Sequence, residues 1–181
     1  MNSTVIEIPQ ELLAPAAFAR YEGTFTLEVL KAGPDLYSFR EPVSWGVDIT
    51  NTGDALLLQG EAEVCGTTSC ARCLEPVEVD LFGELEGYYL LDPDDVPEDM
   101  EGDEFEVLPE DRKIDVAPLI TAALLLDVPM IPLCSEDCKG ICPTCGANLN
   151  EGECGCADEA GEAAAASPDN PFAALAGLKL D

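Results

Sequence analysis

Histidine is absent from all 181 residues. That removes every Ser/His or Cys/His catalytic pair and leaves cysteine and carboxylates as the side chains able to ligate a metal. Basic residues are nearly as scarce: 8 stand against 37 acidic ones, for a formal net charge of −29 and an isoelectric point near 4.1. No window carries the basic stripe that releases counterions from a phosphate backbone, so direct nucleic-acid binding is doubtful and the natural partners are basic proteins. A glycine loop able to cradle phosphate is missing too.

Long apolar runs are nearly missing. The closest, "VAPLITAALLLDVPMIPL" at 116–133, contains three prolines and Asp127 and is a poor membrane span. The first ten residues, "MNSTVIEIPQ", have neither the charged start nor the apolar stretch of a secretory leader, so a cytoplasmic protein with reduced thiols is expected. In that setting a disulfide framework gives way to metal binding as the use for nine cysteines.

The chain is long enough for one domain with an appended module, and 47% hydrophobic content supports a real core. Along 1–91 it reads as short strands separated by turns. Phe25, Leu27 and Val29 alternate with Thr24, Thr26 and Glu28, "KAGPD" and "NTGD" supply turns, and "SWGVDIT" and "ALLLQGEAEV" continue the pattern. In "VEVDLFGELEGYYL", Val77, Val79, Leu81, Leu85 and Tyr89 share one face, and Glu78, Asp80, Glu84 and Glu86 the other. Gly83 and Gly87 on the inner face suggest a strand that curls, as in a small, partly closed barrel.

Residues 92–113 read as an acidic mobile loop, with eleven acidic residues and no basic one between Asp92 and Asp111. A core helix and its exit follow at 114–133, with Asp115 as N-cap, Pro118 in the first turn and Pro129 as the stop. The helix is apolar nearly all round and so should be buried against the sheet. After the cysteine block at 134–156, an alanine-rich linker covers 157–169, and "NPFAALAGLKL" begins a short C-terminal helix at 170–181. The fold class is thus α+β: an antiparallel sheet with barrel-like curvature, a buried helix and a C-terminal, cysteine-rich, zinc-ribbon-like module.

Six cysteines fall within "CSEDCKGICPTCGANLNEGECGC". The knuckle "CPTCG" and the pair "CGC" offer four thiolates, Cys142, Cys145, Cys154 and Cys156, around a turn-rich loop, which suits tetrahedral zinc. Cys134, Cys138, Cys142 and Cys145 form a rival set, and spacing alone leaves the choice open. Upstream, "CARC" at the turn of a hairpin offers Cys70 and Cys73, which Cys134 and Cys138 would complete as a second site, leaving Cys65 as a buried thiol. The block has only Ile141 and Leu149 as large apolar residues, so a structural zinc, worth roughly 10 to 16 kcal/mol, is a more credible source of order than burial. Arg72 and Lys139, inside these motifs, would offset the charge of a four-thiolate centre, and would also acidify thiols, which keeps a thiol–disulfide redox role for "CARC" in view. Such motifs ordinarily sit at a helix N-terminus, whereas this one lies between strands.

Four landmarks in order, "CARCLEPV", "IDVAPLITAALLLDVPMIPLC", "CKGICPTCGANLN" followed by "CGC", and the terminal "NPFAALAGLKL", resemble the bacterial YceD family, the large ribosomal RNA subunit accumulation proteins. The resemblance runs from about residue 55 to the C-terminus. It implies a non-enzymatic factor in large-subunit biogenesis, needed for accumulation of large-subunit ribosomal RNA, with no catalytic residues. Taken with the charge, the expected partner is a large-subunit precursor or a basic ribosomal protein, and no membrane or small-molecule substrate is expected. The cysteine block occurs in some branches of the family and not in others, which implies a role in the fold more than in the shared task. The competing class is a zinc-ribbon adaptor unconnected with ribosomes.

Overall fold

The computed structural model describes residues 4–94, 96, 102 and 105–156. The chain divides into two compact units, Met1–Thr68 with Val77–Met130, and Ser69–Pro76 with Ile131–Asp181. The tip of the "CARC" hairpin therefore belongs with the cysteine block rather than with the sheet that extends it, unlike the division at residue 91 read along the chain. The linker expected at 157–169 and the helix expected at 170–181 lie outside the described residues.

In the first unit, β1 (Val5–Glu7) leads through a 3-10 turn (Gln10–Leu13) to β2 (Phe18–Phe25), β3 (Val29–Ala32), β4 (Asp35–Phe39), β5 (Val43–Asn51), β6 (Ala55–Ser69) and β7 (Pro76–Leu90). β8 (Glu106–Val107), β9 (Lys113–Asp115) and helix α1 (Ala117–Asp127) complete it. The large sheet runs β2-β5-β6-β4-β3, with β7 on β6 and β8 parallel to β7. β1 and β9 form a separate antiparallel pair in which Ile6 faces Ile114, both buried. The expected turns are present: Gly33 (φ 61°) joins β3 to β4, and Gly53 (φ 117°) joins β5 to β6. Both take the left-handed conformation that glycine adopts without strain. Asn51, buried in the core, fixes the second turn by accepting the Gly53 N–H at 2.8 Å and donating to the Leu12 carbonyl at 3.0 Å.

The alternation along β7 holds as read: Leu81, Leu85 and Tyr89 are buried and the four acidic residues are exposed. The sheet is open, however, and does not close into a barrel. The inward glycines answer to a different need. A Cβ at Gly83 would lie 2.7 Å from the Ala123 carbonyl carbon, so the missing side chain lets the helix backbone lie directly on the strand.

α1 sets Ile120, Ala123 and Leu124 into the core, at helical spacing. Its other side is open, with Leu126 88% exposed, so the helix is covered on one face and not all round. Nor does Asp115 cap it in the usual way: the N-cap is Val116, and the Asp115 carboxylate accepts the Ala117 N–H at 3.1 Å from one residue further out. At the other end Asp127 accepts the Phe82 N–H of β7 at 2.7 Å. Between 92 and 113 the described residues are not all loop, since β8 and the first residue of β9 fall there.

Candidate metal centres

The second unit is built on the hairpin tip. The Cys70 N–H donates to the Glu75 carbonyl at 2.8 Å and the Leu74 N–H to the Cys70 carbonyl at 2.9 Å, a tight turn that Leu74 completes with φ of 65°. This turn aims Cys70 and Cys73 to the same side. The Ala71 N–H holds the incoming chain through the Pro132 carbonyl at 2.8 Å, which delivers Cys134 and Cys138. The Cys70 and Cys138 sulfurs lie 3.8 Å apart, and those of Cys73 and Cys134 3.5 Å apart.

All four Sγ atoms of Cys70, Cys73, Cys134 and Cys138 fall within 4.8 Å of one another. Zinc bonded to sulfur at about 2.3 Å in a tetrahedron sets the sulfurs about 3.8 Å apart, so the donor set fits such an ion. A disulfide, with sulfurs at about 2.05 Å, does not match these separations.

The second cluster forms within one short loop. Its knuckle is closed by the Gly146 N–H donating to the Cys142 carbonyl at 2.8 Å and the Cys142 N–H to the Ala147 carbonyl at 2.8 Å, next to an antiparallel bridge between Ile141 and Asn148. Gly146 (φ 74°) and Gly155 (φ 75°) make the turns that bring in Cys145 and the Cys154–Cys156 pair. The sulfurs of Cys142, Cys145, Cys154 and Cys156 also lie within 4.8 Å of one another. The rival set of Cys134, Cys138, Cys142 and Cys145 is not assembled; its members are divided between the two clusters. Cys65 joins neither. It is exposed on β6 beside Asp80, not buried, because the strand's alternation sends Val64 inward and its neighbour out.

Protonation preferences within each cluster are pulled apart. The Cys73 backbone N–H, with burial opposing and the N–H groups of Cys134 and Arg72 assisting, lowers Cys70 to about 6. At Cys73 the Glu75 N–H favours the thiolate, but burial and the adjoining sulfurs of Cys70, Cys134 and Cys138 outweigh it and push the thiol up to about 12. Likewise the N–H groups of Cys145 and Thr144 lower Cys142 to about 6, whereas the neighbouring sulfurs of Cys145 and Cys154 drive Cys156 to about 12. Four crowded thiols cannot all ionise without a cation between them.

Arg72 supplies charge at the first cluster: its guanidinium donates to the carbonyls of Cys138 at 3.0 Å and Glu136 at 3.3 Å. Lys139 takes part through its backbone, donating to Asn150 Oδ1 at 2.8 Å. Sequence reasoning missed Asn150, whose Nδ2 donates to the Cys138 sulfur at 3.3 Å. Ligand-spacing patterns name the atoms that touch an ion and carry no signal for the donors behind them.

Elsewhere, the outward positions of β2, β5, β6 and β7 carry Glu22, Asp48, Glu61, Glu63, Glu78, Asp80, Glu84 and Glu86. Arg20 lies among them, bound to Glu22 at 2.8 Å and Asp48 at 3.1 Å. Phe82 stands 49% exposed among the acids. Among the described residues no helix is long and apolar enough to cross a membrane.

Residues 58–179 match the family described as large ribosomal RNA subunit accumulation protein YceD, a span that starts within β6 and includes both cysteine clusters. A chloroplastic YCED homolog 1 of Zea mays, named as a large ribosomal RNA subunit accumulation protein, is 30% identical over 139 residues, covering 61% of this chain and 47% of that protein. Its Arabidopsis thaliana counterpart is 33% identical over 143 residues, covering 65% and 44%. An uncharacterised protein of Mycobacterium bovis is 31% identical over 101 residues, covering 56% and 48%. The chain spans about half the length of these relatives. No solved structure matches it. With the greater part of its length, hairpin tip and cysteine block included, matched to that one family, the chain belongs to the YceD family of large ribosomal RNA subunit accumulation proteins.

Proposed function

We propose that the protein is a non-enzymatic, cytoplasmic factor in biogenesis of the large ribosomal subunit, held in shape by two structural zinc ions and acting through a basic protein partner. The match over residues 58–179 carries the ribosomal part of this reading. Zinc is the choice of metal because both donor sets are four thiolates in tetrahedral reach of one another and neither contains an oxygen or imidazole ligand. Bound zinc would supply cross-links to a segment with little apolar surface to bury, and every ligand position is filled by protein, as in structural rather than catalytic sites.

The partner's chemistry follows from charge. The carboxylate face of β2, β5, β6 and β7, on a chain of net charge −29, repels phosphate and attracts lysine- and arginine-rich surfaces, so RNA is reached through a basic protein. A thiol–disulfide enzyme is the poorer reading: "CARC" lies on a turn between two strands, and its sulfurs have two further cysteines as neighbours.

Density-gradient fractionation of a native lysate tests the proposal. The protein should sediment in part with precursors of the large subunit, and its deletion should lower large-subunit ribosomal RNA relative to small. Free sedimentation together with an unchanged RNA ratio would refute the ribosomal role, and tight binding of the purified protein to naked ribosomal RNA at physiological salt would refute the protein intermediary.

A further inference from the structure

The loop that forms the second cluster also serves the first. Asn150 lies between Cys145 and Cys154, yet its carboxamide grips the end of the other ligand set: Nδ2 donates to Cys138 Sγ at 3.3 Å while Oδ1 accepts the Lys139 N–H at 2.8 Å. Its own position is set by the second loop. Nδ2 also reaches Asn148 Oδ1 at 2.9 Å, the Leu149 N–H donates to the Gly140 carbonyl at 2.9 Å, and Asn148 bridges Ile141. Residues 140–142 and 147–150 are thus the two arms of a small hairpin with Cys138 at its foot and the second knuckle at its tip.

Beyond these bonds and the Ile141 N–H, which donates to the Arg72 carbonyl at 3.1 Å, little holds that hairpin. Ile141 is 38% exposed, and residues 143–147 and 150–153 are all exposed. Its order therefore depends on Cys142 and Cys145 being tied to Cys154 and Cys156. A thiolate ligand that accepts an N–H bond carries less uncompensated charge in a centre of net −2, and a donor already fixed in place gives that benefit without a further ordering cost.

We propose that the two cysteine centres load metal cooperatively, filling of the Cys142, Cys145, Cys154 and Cys156 centre raising the affinity of the Cys70, Cys73, Cys134 and Cys138 centre through the Asn150 carboxamide. The proposal rests on the metal reading above. Coupling between equilibrium affinities is reciprocal, so the first centre strengthens the second by the same factor.

The test is titration of the metal-stripped full chain with zinc or cobalt(II), anaerobic and reduced, against a competing chelator. Thiolate-to-cobalt charge-transfer absorption reports each four-sulfur centre. Cys154→Ser with Cys156→Ser leaves the first centre alone, and its affinity should fall about tenfold, within the range of about 10- to 100-fold for lost outer-sphere donors. Asn150→Ala should retain two metals with the coupling gone. Asn150→Asp separates donation from mere support of the turn, because it keeps an acceptor for the Lys139 N–H and loses the donor to sulfur; it should behave like Asn150→Ala and alter the first centre's charge-transfer band. An equal affinity of the first centre in the parent, Asn150→Asp and the serine variant would overturn the coupling and leave the metal reading standing. A parent chain that binds no metal would overturn both.

Discussion

Replacing Gly83 by alanine should destabilise the first unit by about 2 kcal/mol. The backbone there is ordinary extended chain, since Gly83 is not among the positive-φ glycines, so conformational freedom is not what the residue provides. Space is. An added Cβ would lie 2.7 Å from the Ala123 carbonyl carbon, 2.8 Å from the Ala123 Cβ and 2.9 Å from the Leu124 nitrogen, where carbon contacts ordinarily rest at about 3.5 to 4.0 Å. Two of those three atoms are helix backbone, which cannot swing aside as a side chain can. The helix must move off by about 1 Å, and Ile120 and Leu124 lose close packing with it. Overpacking of this kind costs about 1 to 3 kcal/mol, and the upper part of that range applies here, offset by about 0.5 to 1 kcal/mol for removing glycine from a strand. Urea unfolding followed by fluorescence of Trp45, the single tryptophan and a buried residue of this unit, should show the midpoint falling by about 1 M for a slope of about 2 kcal/mol per M. Gly87→Ala is the control, because its nearest neighbours, at 3.2 Å, are side-chain atoms of Leu119 and Tyr89. Its midpoint should move by less than half as much. An unchanged midpoint for Gly83→Ala, or a larger drop for Gly87→Ala, would refute the close-approach argument.

Two further outcomes are expected. Burial, then the charge of Glu106, pushes the Tyr89 hydroxyl up to about 12, against about 10 in an unfolded chain. The folded state therefore keeps a proton that the unfolded state releases, and stability present below pH about 10 is lost as pH rises towards about 12, by no more than about 3 kcal/mol. Tyr89→Phe should flatten that loss in unfolding curves taken across this window, leaving the smaller part due to Tyr21 and Tyr37, which burial also raises; an unchanged slope would refute the assignment. Chelation under reducing conditions should open the cysteine block, seen as new protease cuts confined to 131–156, while Trp45 emission stays that of the folded protein. A red shift of Trp45 in step with metal loss would show that the first unit depends on the metal.

The sheet was readable where strands are long and half-buried. Fifteen-residue β7 shows several periods of inside-outside alternation, and the flanking strands of "CARC" declare a hairpin. What sequence concealed lies in short or interrupted pieces. β9, three residues long, has no period to detect, and its partner β1 lies more than a hundred residues away. Between Phe25 and Leu30 the alternation breaks at a bend, so Val29, which continues the pattern on paper, is 51% exposed and Leu30 is buried instead. Helix composition likewise misled, because α1 has more apolar residues than the sheet can cover, and Leu126 and its neighbour Leu125 face outward. For the cysteines, residue type and local spacing disclosed the ligands, but which pairs meet depends on the Ala71 to Pro132 contact, a non-local feature that spacing does not encode.

The two units solve the problem of order by different chemistry. In the first, aliphatic and aromatic side chains from β1 to α1 make a continuous core. In the second, the buried residues among those described are Cys70, Cys73, Cys138 and Cys142 with Pro132 and Gly140, while Leu74 is 63% exposed and Ile131 64%. Among the described residues of this unit there is no aliphatic interior. Sulfur occupies the positions that leucine or valine would fill, in two sets of four whose Sγ atoms lie within 4.8 Å of one another, an arrangement compatible with a cation. Cys65 shows the converse: the one cysteine in the first unit, where a hydrocarbon core already exists, is left on the surface. The cysteines therefore mark where burial fails: eight of the nine gather in two four-sulfur sets in the unit whose described residues have little hydrocarbon to bury.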